Sequence, residues 1–479
     1  MLTMKTTRSA FILCFSAIFS TLLIVSCQTP SNKAHITASI SHCKDSVVLL
    51  NFIDSTNTIS LGADGSFETE ITLNKPLWLE IHLGSKVLSL YLQPGSDIKL
   101  DLDAEDLTGK ARISGNDSEI NEYLLKQNME FENHVCNKTS YIYESEISDY
   151  LTSLADLTKK LQINYDAFVK QYGEKHRHFC DNEKLRLQFM LAGTKLGYSS
   201  FIDYSDQLSE QEKTGFYQFM KDIDLNKPEN GELHEFRSFA SLYVDWKANS
   251  ESAQQKSQLS NEAQYMKFVF EVIQTEFSDK KTIEYLYYTK LYDFMLYMGP
   301  NDLEMNYEEF LSLSNNEQHK KAIKAIYDKW MQLAPGLPAP SFTCTDGDGK
   351  THDLREFAGK LIVVDVWASW CGPCMREIPY IEKLKKEYRN KPVAFVAISV
   401  DDSYESWIAE VENSKLTGNQ WFAKGWNNTL CDAYNINSIP RFMLIDHKGN
   451  IVNTNAPKPS GDLKQLIDSW LNDNKDLTL

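Results

Sequence analysis

Two cysteines separated by two residues constrain this sequence most, because they stand where an apolar run turns into a helix-compatible segment. Residues 367–379 read Trp-Ala-Ser-Trp-Cys-Gly-Pro-Cys-Met-Arg-Glu-Ile-Pro and follow the apolar residues 361–366. At this spacing Cys371 and Cys374 both project from the first helical turn, close enough to form a disulfide with little movement. The unpaired amides and the dipole of a helix N-terminus favour a thiolate on Cys371. The pattern therefore predicts a reversible two-electron switch.

Length and charge narrow the protein class. The chain has 479 residues, which predicts two or three domains. Its composition, 42% hydrophobic and 24% charged, is that of a soluble globular protein. The formal net charge of −17, with no basic block to offset it, argues against nucleic-acid binding. Because no P-loop, dinucleotide fingerprint or zinc-protease helix motif is visible, we expect no metal and no cofactor.

The first residues look like an export signal. Two basic residues precede an apolar stretch over residues 10–25, and Cys27 follows it directly after Ser26. This resembles a bacterial lipoprotein signal, residues 1–26, with Cys27 as the lipidated N-terminus of the mature protein. A transmembrane anchor or an ordinary cleaved signal are the alternatives, and the run is short for a span. Gln28, a residue other than Asp, favours the outer membrane, so we expect a lipoprotein of the cell envelope that faces the periplasm.

The spacing of the other cysteines does not indicate a disulfide framework. Cys14 is removed with the signal, and the five that remain are scattered and odd in number, so they cannot all pair within one chain. A structural disulfide among them stays open, although most are expected to be buried as small apolar residues. They are Cys43, Cys136, Cys180, Cys344 and Cys431.

The sequence predicts a multidomain protein. Short apolar runs separated by turn signals indicate an N-terminal antiparallel β domain over residues 34–113, a sandwich or partly open barrel. It resembles a bacterial domain of unknown function that precedes thioredoxin-like domains. Residues 116–333 follow a helical period and predict an all-α region. A Pro-rich linker, residues 334–340, separates it from residues 341–475, where strands and helices alternate as in an α/β domain.

Within the helical region, apolar stripes indicate packing. An aromatic ligand groove is the alternative, but such stripes more often form interhelical cores, and no catalytic constellation is recognisable. The two stripes are Met266, Phe270, Ile273 and Phe277, and Tyr287, Leu291, Phe294 and Met298.

The α/β segment resembles a known family. Residues from about 337 to 475 are similar to the membrane-tethered thioredoxin-like proteins of the TlpA/ResA type, grouped with the AhpC/TSA peroxiredoxin superfamily. The resemblance implies a thioredoxin-like fold and thiol–disulfide oxidoreductase activity. The matching pieces are Ala339-Pro340-Ser341-Phe342, Val364-Asp365-Val366-Trp367-Ala368, Trp370-Cys371-Gly372-Pro373-Cys374, Glu377-Ile378-Pro379 and Ile439-Pro440.

Four residues are candidates for the chemistry. Cys371, in the more exposed position, is the expected nucleophile, and Cys374, one turn deeper, resolves the mixed disulfide after losing its proton. Asp365 matches the buried acid of thioredoxins, and burial raises the pKa of such a carboxyl so that it can accept a proton. Glu377 matches the acid that TlpA/ResA-type proteins place beside their cysteines. Which acid serves Cys374 stays open, and so does a purely structural role for Asp365.

The resemblance also implies a substrate surface. Pro440 matches the family's cis-proline, which leaves the backbone of Ile439 free to pair with an extended substrate strand. Trp370 is expected at the exposed rim, whereas Trp367 and Phe442 are expected in the core. The Gly372-Pro373 dipeptide is that of reducing thioredoxins, which favours reduction of client disulfides.

Two rival chemistries are weaker. A zinc site needs two more ligands, and Cys431, His352 and His447 form no second pair. Peroxiredoxins carry a Pro-x-x-x-Thr-x-x-Cys loop, but Val364 and Ala368 occupy the Pro and Thr places here.

The sequence therefore predicts an exported, lipid-anchored thiol–disulfide oxidoreductase. Its partners would be disulfide-containing client proteins, a membrane thiol donor of electrons, and the membrane itself through Cys27. Cytochrome c maturation, rescue of misoxidised proteins (cell redox homeostasis) and an oxidative-stress role fit equally. A thiol peroxidase, or a binding or scaffold lipoprotein with an accessory thioredoxin-like domain, are the alternatives.

Overall fold

The computed structural model describes residues 32–203, 205, 208–255, 262–299 and 303–475. The predicted signal segment, Cys14 and the lipidation residue Cys27 lie outside them. The strands are β1 (Lys33–Ser41), β2 (Val47–Phe52), β3 (Ser55–Ser60), β4 (Ser66–Thr72), β5 (Leu77–Leu83), β6 (Lys86–Leu92), β7 (Asp97–Asp103), β8 (Arg112–Gly115), β9 (Cys344–Thr345), β10 (Thr351–His352), β11 (Leu361–Trp367), β12 (Val393–Ser399), β13 (Asn419–Phe422), β14 (Arg441–Ile445) and β15 (Ile451–Ala456).

Helices dominate the middle of the chain. The α-helices are α1 (Ser118–Asn133), α2 (Thr139–Glu144), α3 (Ile147–Tyr172), α4 (Arg177–Gly197), α5 (Ser199–Asp203), α6 (Glu210–Phe216), α7 (His234–Gln255), α8 (Glu262–Glu276), α9 (Lys280–Met298), α10 (Glu304–Leu313), α11 (Glu317–Met331), α12 (Gly372–Glu387), α13 (Tyr404–Asn413), α14 (Thr429–Ala433) and α15 (Leu463–Asp473). Short 3₁₀ turns cover Val135–Asn137, Tyr217–Asp222, Asn230–Glu232 and Leu354–Phe357. No helix in the described part of the chain combines the length and apolar character that crossing a bilayer requires.

The chain divides into two compact units. The described part of the first comprises residues 32–50 and 58–125, and the second comprises residues 51–57 with the chain from residue 126 onward. The N-terminal strands form two four-stranded sheets, ordered β4-β1-β7-β8 and β3-β2-β5-β6. The strand pairs are mostly antiparallel, as predicted, but β1 pairs with β7 in parallel. Alternating buried residues on β1 (Ala34, Ile36, Ala38 and Ile40) supply the core face of their sheet.

The helical region is held by packed side chains and a buried ion cluster. The predicted stripe on α8, from Met266 to Phe277, is buried along its length. On α9 the prediction is right for Leu291 but wrong for Met298, which is exposed near the helix C-terminus. Burial of Arg186 is balanced by two carboxylates: its Nε lies 2.6 Å from Glu183 on the same helix, and its Nη1 lies 2.7 Å from Glu235 on α7.

The C-terminal strands form one mixed sheet ordered β10-β9-β13-β12-β11-β14-β15. Strand β11 is an inner strand, parallel to β12 and antiparallel to β14. Its apolar sequence fits this position, because an inner strand is covered on both faces. Leu361 and Val363 pack with α12 and α15 on one face, in a cluster that includes Ile381 and Ile467. Since side chains alternate along a strand, Asp365 points to the same face, toward α12. The predicted fold class is confirmed.

Residues 334–340 contact the C-terminal sheet. The amide of Gly336 donates to the main-chain oxygen of Ile451, and the amide of Ala339 donates to that of Gly449, at 2.8 and 2.9 Å. Pro338 forms an isolated antiparallel bridge with Asn450. The predicted linker is therefore tied to the turn that precedes β15 and to the first residue of that strand.

The C-terminal end of α9 is capped by side chains of the α/β part. The last carbonyls of a helix lack intrahelical partners and carry partial negative charge. Here the oxygens of residues 296–298 accept hydrogen bonds from the side chains of Asn437, Arg441 and Asn455, respectively. Burial lowers the pKa of Arg441 to about 10, and its guanidinium also lies over the ring of Trp330. These contacts join the helical and α/β parts within the second unit.

Candidate active site

Cys371 and Cys374 form a disulfide, with the two Sγ atoms 1.98 Å apart. Cys371 is the N-cap of α12, and its sulfur accepts a hydrogen bond from the amide of Cys374 at 3.1 Å. Gly372 and Pro373, between them, are exposed. A proline fits the first turn of a helix because its missing N–H has no intrahelical partner there. The local sequence therefore places the dithiol at the helix N-terminus, as predicted.

Exposure does not distinguish the two sulfurs. Cys371 is 4% exposed and Cys374 is 3% exposed, so the expectation that Cys371 is clearly more exposed is wrong for the disulfide form. In the preceding loop, the amide of Cys371 donates to the main-chain oxygen of Ala368 at 3.1 Å, which closes a tight turn directly before the disulfide. Trp370, in that loop, is exposed, as predicted for a rim residue. Trp367 and Phe442 are buried, as predicted.

Asp365 is a desolvated carboxyl. Burial raises its pKa from 3.8 to about 7, the positive charge of Lys385 opposes this rise, and the negative charges of Glu377 and Glu382 add to it. Among the described residues, none donates a hydrogen bond to this carboxyl. Its charged form is therefore poorly compensated.

Glu377 is buried, and both of its carboxylate oxygens accept hydrogen bonds. Its Oε2 accepts a hydrogen bond from the amide of Ser460 at 2.9 Å, and its Oε1 accepts one from the Ser460 hydroxyl at 2.8 Å. Glu377 is therefore not a solvated surface acid. The two predicted acids interact electrostatically, since the charge of Glu377 raises the pKa of Asp365.

Asp401, just beyond the end of β12, fixes the loop before the disulfide. Its Oδ2 accepts from the amide of Ser369 at 2.9 Å, and its Oδ1 accepts from the Ser369 hydroxyl at 2.6 Å. The buried hydroxyl of Ser399 donates to the same carboxylate at 2.7 Å. Asp401 was not among the residues predicted from the sequence. A usable signal exists, since acidic residues at the carboxyl end of a parallel strand lie near functional loops.

The predicted substrate residues fall on two loops. The Ile439–Pro440 peptide bond is cis, as predicted, and both residues are partly exposed. Trp370 lies on the loop before α12, and its ring centroid is 6.3 Å from that of Trp426. Trp426, on the loop after β13, was not predicted, because a lone tryptophan in a polar stretch gives no signal of its position.

The other cysteines that lie within the described residues are free. Cys136, Cys180, Cys344 and Cys431 are buried, and Cys43 is partly exposed. Burial raises the pKa of Cys136 to about 11 and that of Cys344 to about 12, so both thiols are poor nucleophiles.

The mixed sheet, the disulfide at the start of α12 and the desolvated acid on β11 together define a class: the protein has a thioredoxin-like fold with a disulfide at a helix N-terminus. The comparisons with known proteins agree. The family model described as Redoxin matches residues 334–467. The thiol-disulfide oxidoreductase ResA of Halalkalibacterium halodurans is 30% identical over 136 residues, which cover 28% of this chain and 74% of that protein.

The chain is also similar to two further proteins. ResA of Bacillus subtilis (strain 168) is 30% identical over 129 residues, covering 27% of this chain and 70% of that protein. The crystal structure of the thioredoxin domain of a thiol-disulfide oxidoreductase from Bacteroides vulgatus is 29% identical, with a TM-score of 0.27, and covers 29% of this chain and 98% of that one. The chain belongs to the ResA family of thiol–disulfide oxidoreductases.

Proposed function

We propose that this oxidoreductase reduces protein disulfides outside the cytoplasm, through Cys371 and Cys374. The observation that carries the proposal is that one domain contains both a disulfide at a helix N-terminus and a desolvated carboxyl, Asp365, whose pKa is about 7. A proton acceptor with a pKa near the working pH is the most effective one.

The reaction begins with the reduced protein. The Cys371 thiolate attacks one sulfur of a client disulfide, the other client sulfur leaves as a thiolate, and a mixed disulfide forms. Cys374 then loses its proton and attacks the Cys371 sulfur, which releases the second client thiolate and restores the Cys371–Cys374 disulfide. Two protein thiols are oxidised and one client disulfide is reduced to two thiols.

Asp365 is the better proton acceptor of the two acids. Glu377 holds its two oxygens against Ser460, whereas Asp365 has no such partner among the described residues. We assign Asp365 to accept the proton of Cys374, directly or through a water, and Glu377 to raise the pKa of Asp365. Trp370, Gly372, Pro373, Ile439 and Pro440 would contact the client segment, and the exposure of the first three supports this role.

The cellular setting belongs to the same proposal. A lipid on Cys27 would anchor the protein in the cell envelope, in the outer membrane on the evidence of Gln28, where it would meet disulfide-containing clients. A membrane thiol donor would re-reduce the disulfide after each turnover. Cytochrome c maturation is one process that such a reductase serves.

Trapping tests the proposal. In Cys374→Ser the second step is blocked, so mixed disulfides between Cys371 and client proteins should accumulate and disappear on addition of dithiothreitol. Cys371→Ser is the matched control and should trap nothing. Absence of trapped clients, together with absence of disulfide reduction by the wild type, would refute the proposal. The scaffold alternative predicts instead that acid-quenched alkylation finds Cys371 and Cys374 uniformly oxidised in cells.

The peroxidase alternative has less support. Peroxiredoxins use the threonine hydroxyl of their loop to organise peroxide, and the corresponding residue here is Ala368, which is fully buried and has only a methyl group. Peroxide consumption that depends on thiols and disappears in Cys371→Ser would favour this alternative.

A further inference from the structure

Two exposed tryptophans lie together beside the disulfide. Trp370, immediately before Cys371, is 57% exposed, and Trp426 is 38% exposed. Their ring centroids are 6.3 Å apart, with the ring planes inclined by 49°. Within the described residues they are the most exposed tryptophans, although such large apolar side chains are usually covered. A surface that leaves two indoles open next to a reactive sulfur is suited to bind a partner side chain.

Asp401 holds both tryptophan loops. Its carboxylate accepts hydrogen bonds from the amide and the hydroxyl of Ser369, the residue before Trp370. Its main-chain oxygen accepts a hydrogen bond of 2.9 Å from the amide of Gly425, the residue before Trp426. The carboxylate is buried, so water competes little for these bonds. One residue therefore sets the position of both indoles.

The loop that carries Trp426 has a specific backbone shape. Gly425 has φ +70°, and a Cβ at this position would lie 2.6 Å from Oδ1 of Asp402. Only glycine avoids both the strain of a positive φ and the close contact with Asp402. The side chain of Asn428 then closes the turn by donating to the oxygen of Gly425 and by accepting from the amide of Cys431 at the start of α14. The orientation of Trp426 is thus built into the loop.

We propose that Trp370 and Trp426 form an aromatic clamp that selects client segments with an aromatic or large aliphatic side chain next to the reacting cysteine. This inference rests on the proposed function. In the clamp, Trp426 is a specificity-determining residue and Asp401 is a positioning residue. Indole faces bind apolar and aromatic side chains at low entropic cost, since each indole has few rotatable bonds and is held on a fixed loop.

Peptides with one internal disulfide test the clamp. Such peptides would differ only in the residue beside the attacked cysteine: Trp, Leu, Gly or Asp. The protein is reduced with dithiothreitol, desalted and mixed with each peptide, and the second-order rate constant of peptide reduction is measured. We expect the wild type to reduce the Trp and Leu peptides about tenfold faster than the Gly peptide, the range that aromatic contacts provide.

Variants separate the clamp from general binding. Trp426→Ala should bring the Trp-to-Gly rate ratio to within about twofold of one, and Trp426→Phe should restore most of it. Asp401→Ala should lower the ratio as well, whereas Asp401→Asn, which keeps an oxygen acceptor for Ser369, should retain part of it. Tyr404→Ala is the control, because Tyr404 is 37% exposed but its ring packs on Trp407 and Phe422. Circular dichroism confirms that each variant is folded.

The outcomes are distinguishable. If the wild type reduces all four peptides at equal rates, or if Trp426→Ala keeps the wild-type ratio, the clamp is refuted while the proposed function stands. If the wild type reduces none of the peptides, the proposed function fails, and the clamp fails with it.

Discussion

Glu377 on α12 receives two hydrogen bonds from Ser460, one from its amide and one from its hydroxyl, at 2.9 and 2.8 Å. These bonds stabilise a carboxylate inside the α/β domain, and its negative charge contributes to the raised pKa of Asp365. Glu377 therefore acts on Asp365 through its charge, and Asp365 is the acid whose pKa is raised.

Glu377→Gln removes the negative charge that Glu377 places near Asp365. Because one contribution that raises the pKa of Asp365 is lost, this pKa should fall, and the resolving step should be about two- to threefold faster at pH 6. Stopped-flow measurement of mixed-disulfide decay between pH 5 and 9 would show the profile moving to lower pH. Glu387→Gln, an exposed acid on the same helix, is the control and should leave the profile in place. A profile that moves to higher pH would contradict the claim that the charge of Glu377 raises the pKa of Asp365.

Asp365→Asn should change stability in a pH-dependent way. The folded protein keeps a proton on Asp365 up to about pH 7, whereas the unfolded chain releases it near its ordinary value of 3.8. The folded state binds more protons between these values, so the free energy of unfolding of the wild type falls as pH rises from about 4 to 7 and stays low above. Asparagine has no charge to bury and avoids this loss.

We expect Asp365→Asn to unfold with a free energy higher than the wild type by about 2–4 kcal/mol at pH 8, and equal to it below pH 4. The resolving step should slow by at least about tenfold at pH 8. Denaturant titrations at pH 4, 6 and 8 measure the first effect, with the exposed Asp348→Asn as control. A constant difference across this pH range would show that Asp365 is charged throughout.

Arg186→Met tests the buried ion cluster of the helical region. The substitution removes the cation that pairs with the buried Glu183 and with Glu235, and breaking a buried pair costs about 3–5 kcal/mol. The matched control is Lys324→Met, which removes an exposed pair with Asp328 that solvent screens, so its loss should be much smaller. Denaturant titration followed by far-ultraviolet circular dichroism compares them, and equal losses would contradict the prediction.

Arg441→Met tests the cap on α9. Its guanidinium bonds the oxygen of Tyr297 and lies over Trp330, so its loss should uncover the end of the helix. We expect faster hydrogen exchange at residues 296–299 and a stability loss of about 1–3 kcal/mol. Asn455→Ala removes a single neutral bond to Met298 and should have a smaller effect. Exchange rates at the end of α9 that match the wild type in Arg441→Met would show that this contact does not stabilise the junction.

Local patterns predicted the secondary structure around the disulfide. The apolar run before Cys371 and the helix after it are adjacent in sequence, so strand β11, the turn and α12 follow from short-range rules. Long-range contacts were not predictable in the same way. Asp401 lies 32 residues after Ser369, and Trp426 lies beyond a further strand, so only the parallel pairing of β11 and β12 and of β12 and β13 brings them near Cys371.

Three other features were not apparent from local sequence patterns. Strands β9 and β10 have two residues each, too short for any periodic signal. The prolines of residues 334–340 suggested a linker, but the amide of Gly336 pairs with the first residue of β15 and the amide of Ala339 pairs with the turn before it. The parallel pairing of β1 with β7 joins strands far apart in sequence, so alternation within each strand does not reveal it.

Reduction of protein disulfides by Cys371 and Cys374 can be tested in a single-turnover reaction with a disulfide-containing protein such as insulin. The reduced protein is mixed with the substrate, quenched in acid and alkylated, and the disulfides are quantified by mass spectrometry over time. The proposed dithiol mechanism predicts that one Cys371–Cys374 disulfide forms for every two client thiols that appear, and that neither forms with Cys371→Ser. Client disulfides that stay intact while Cys371 and Cys374 remain reduced would contradict it.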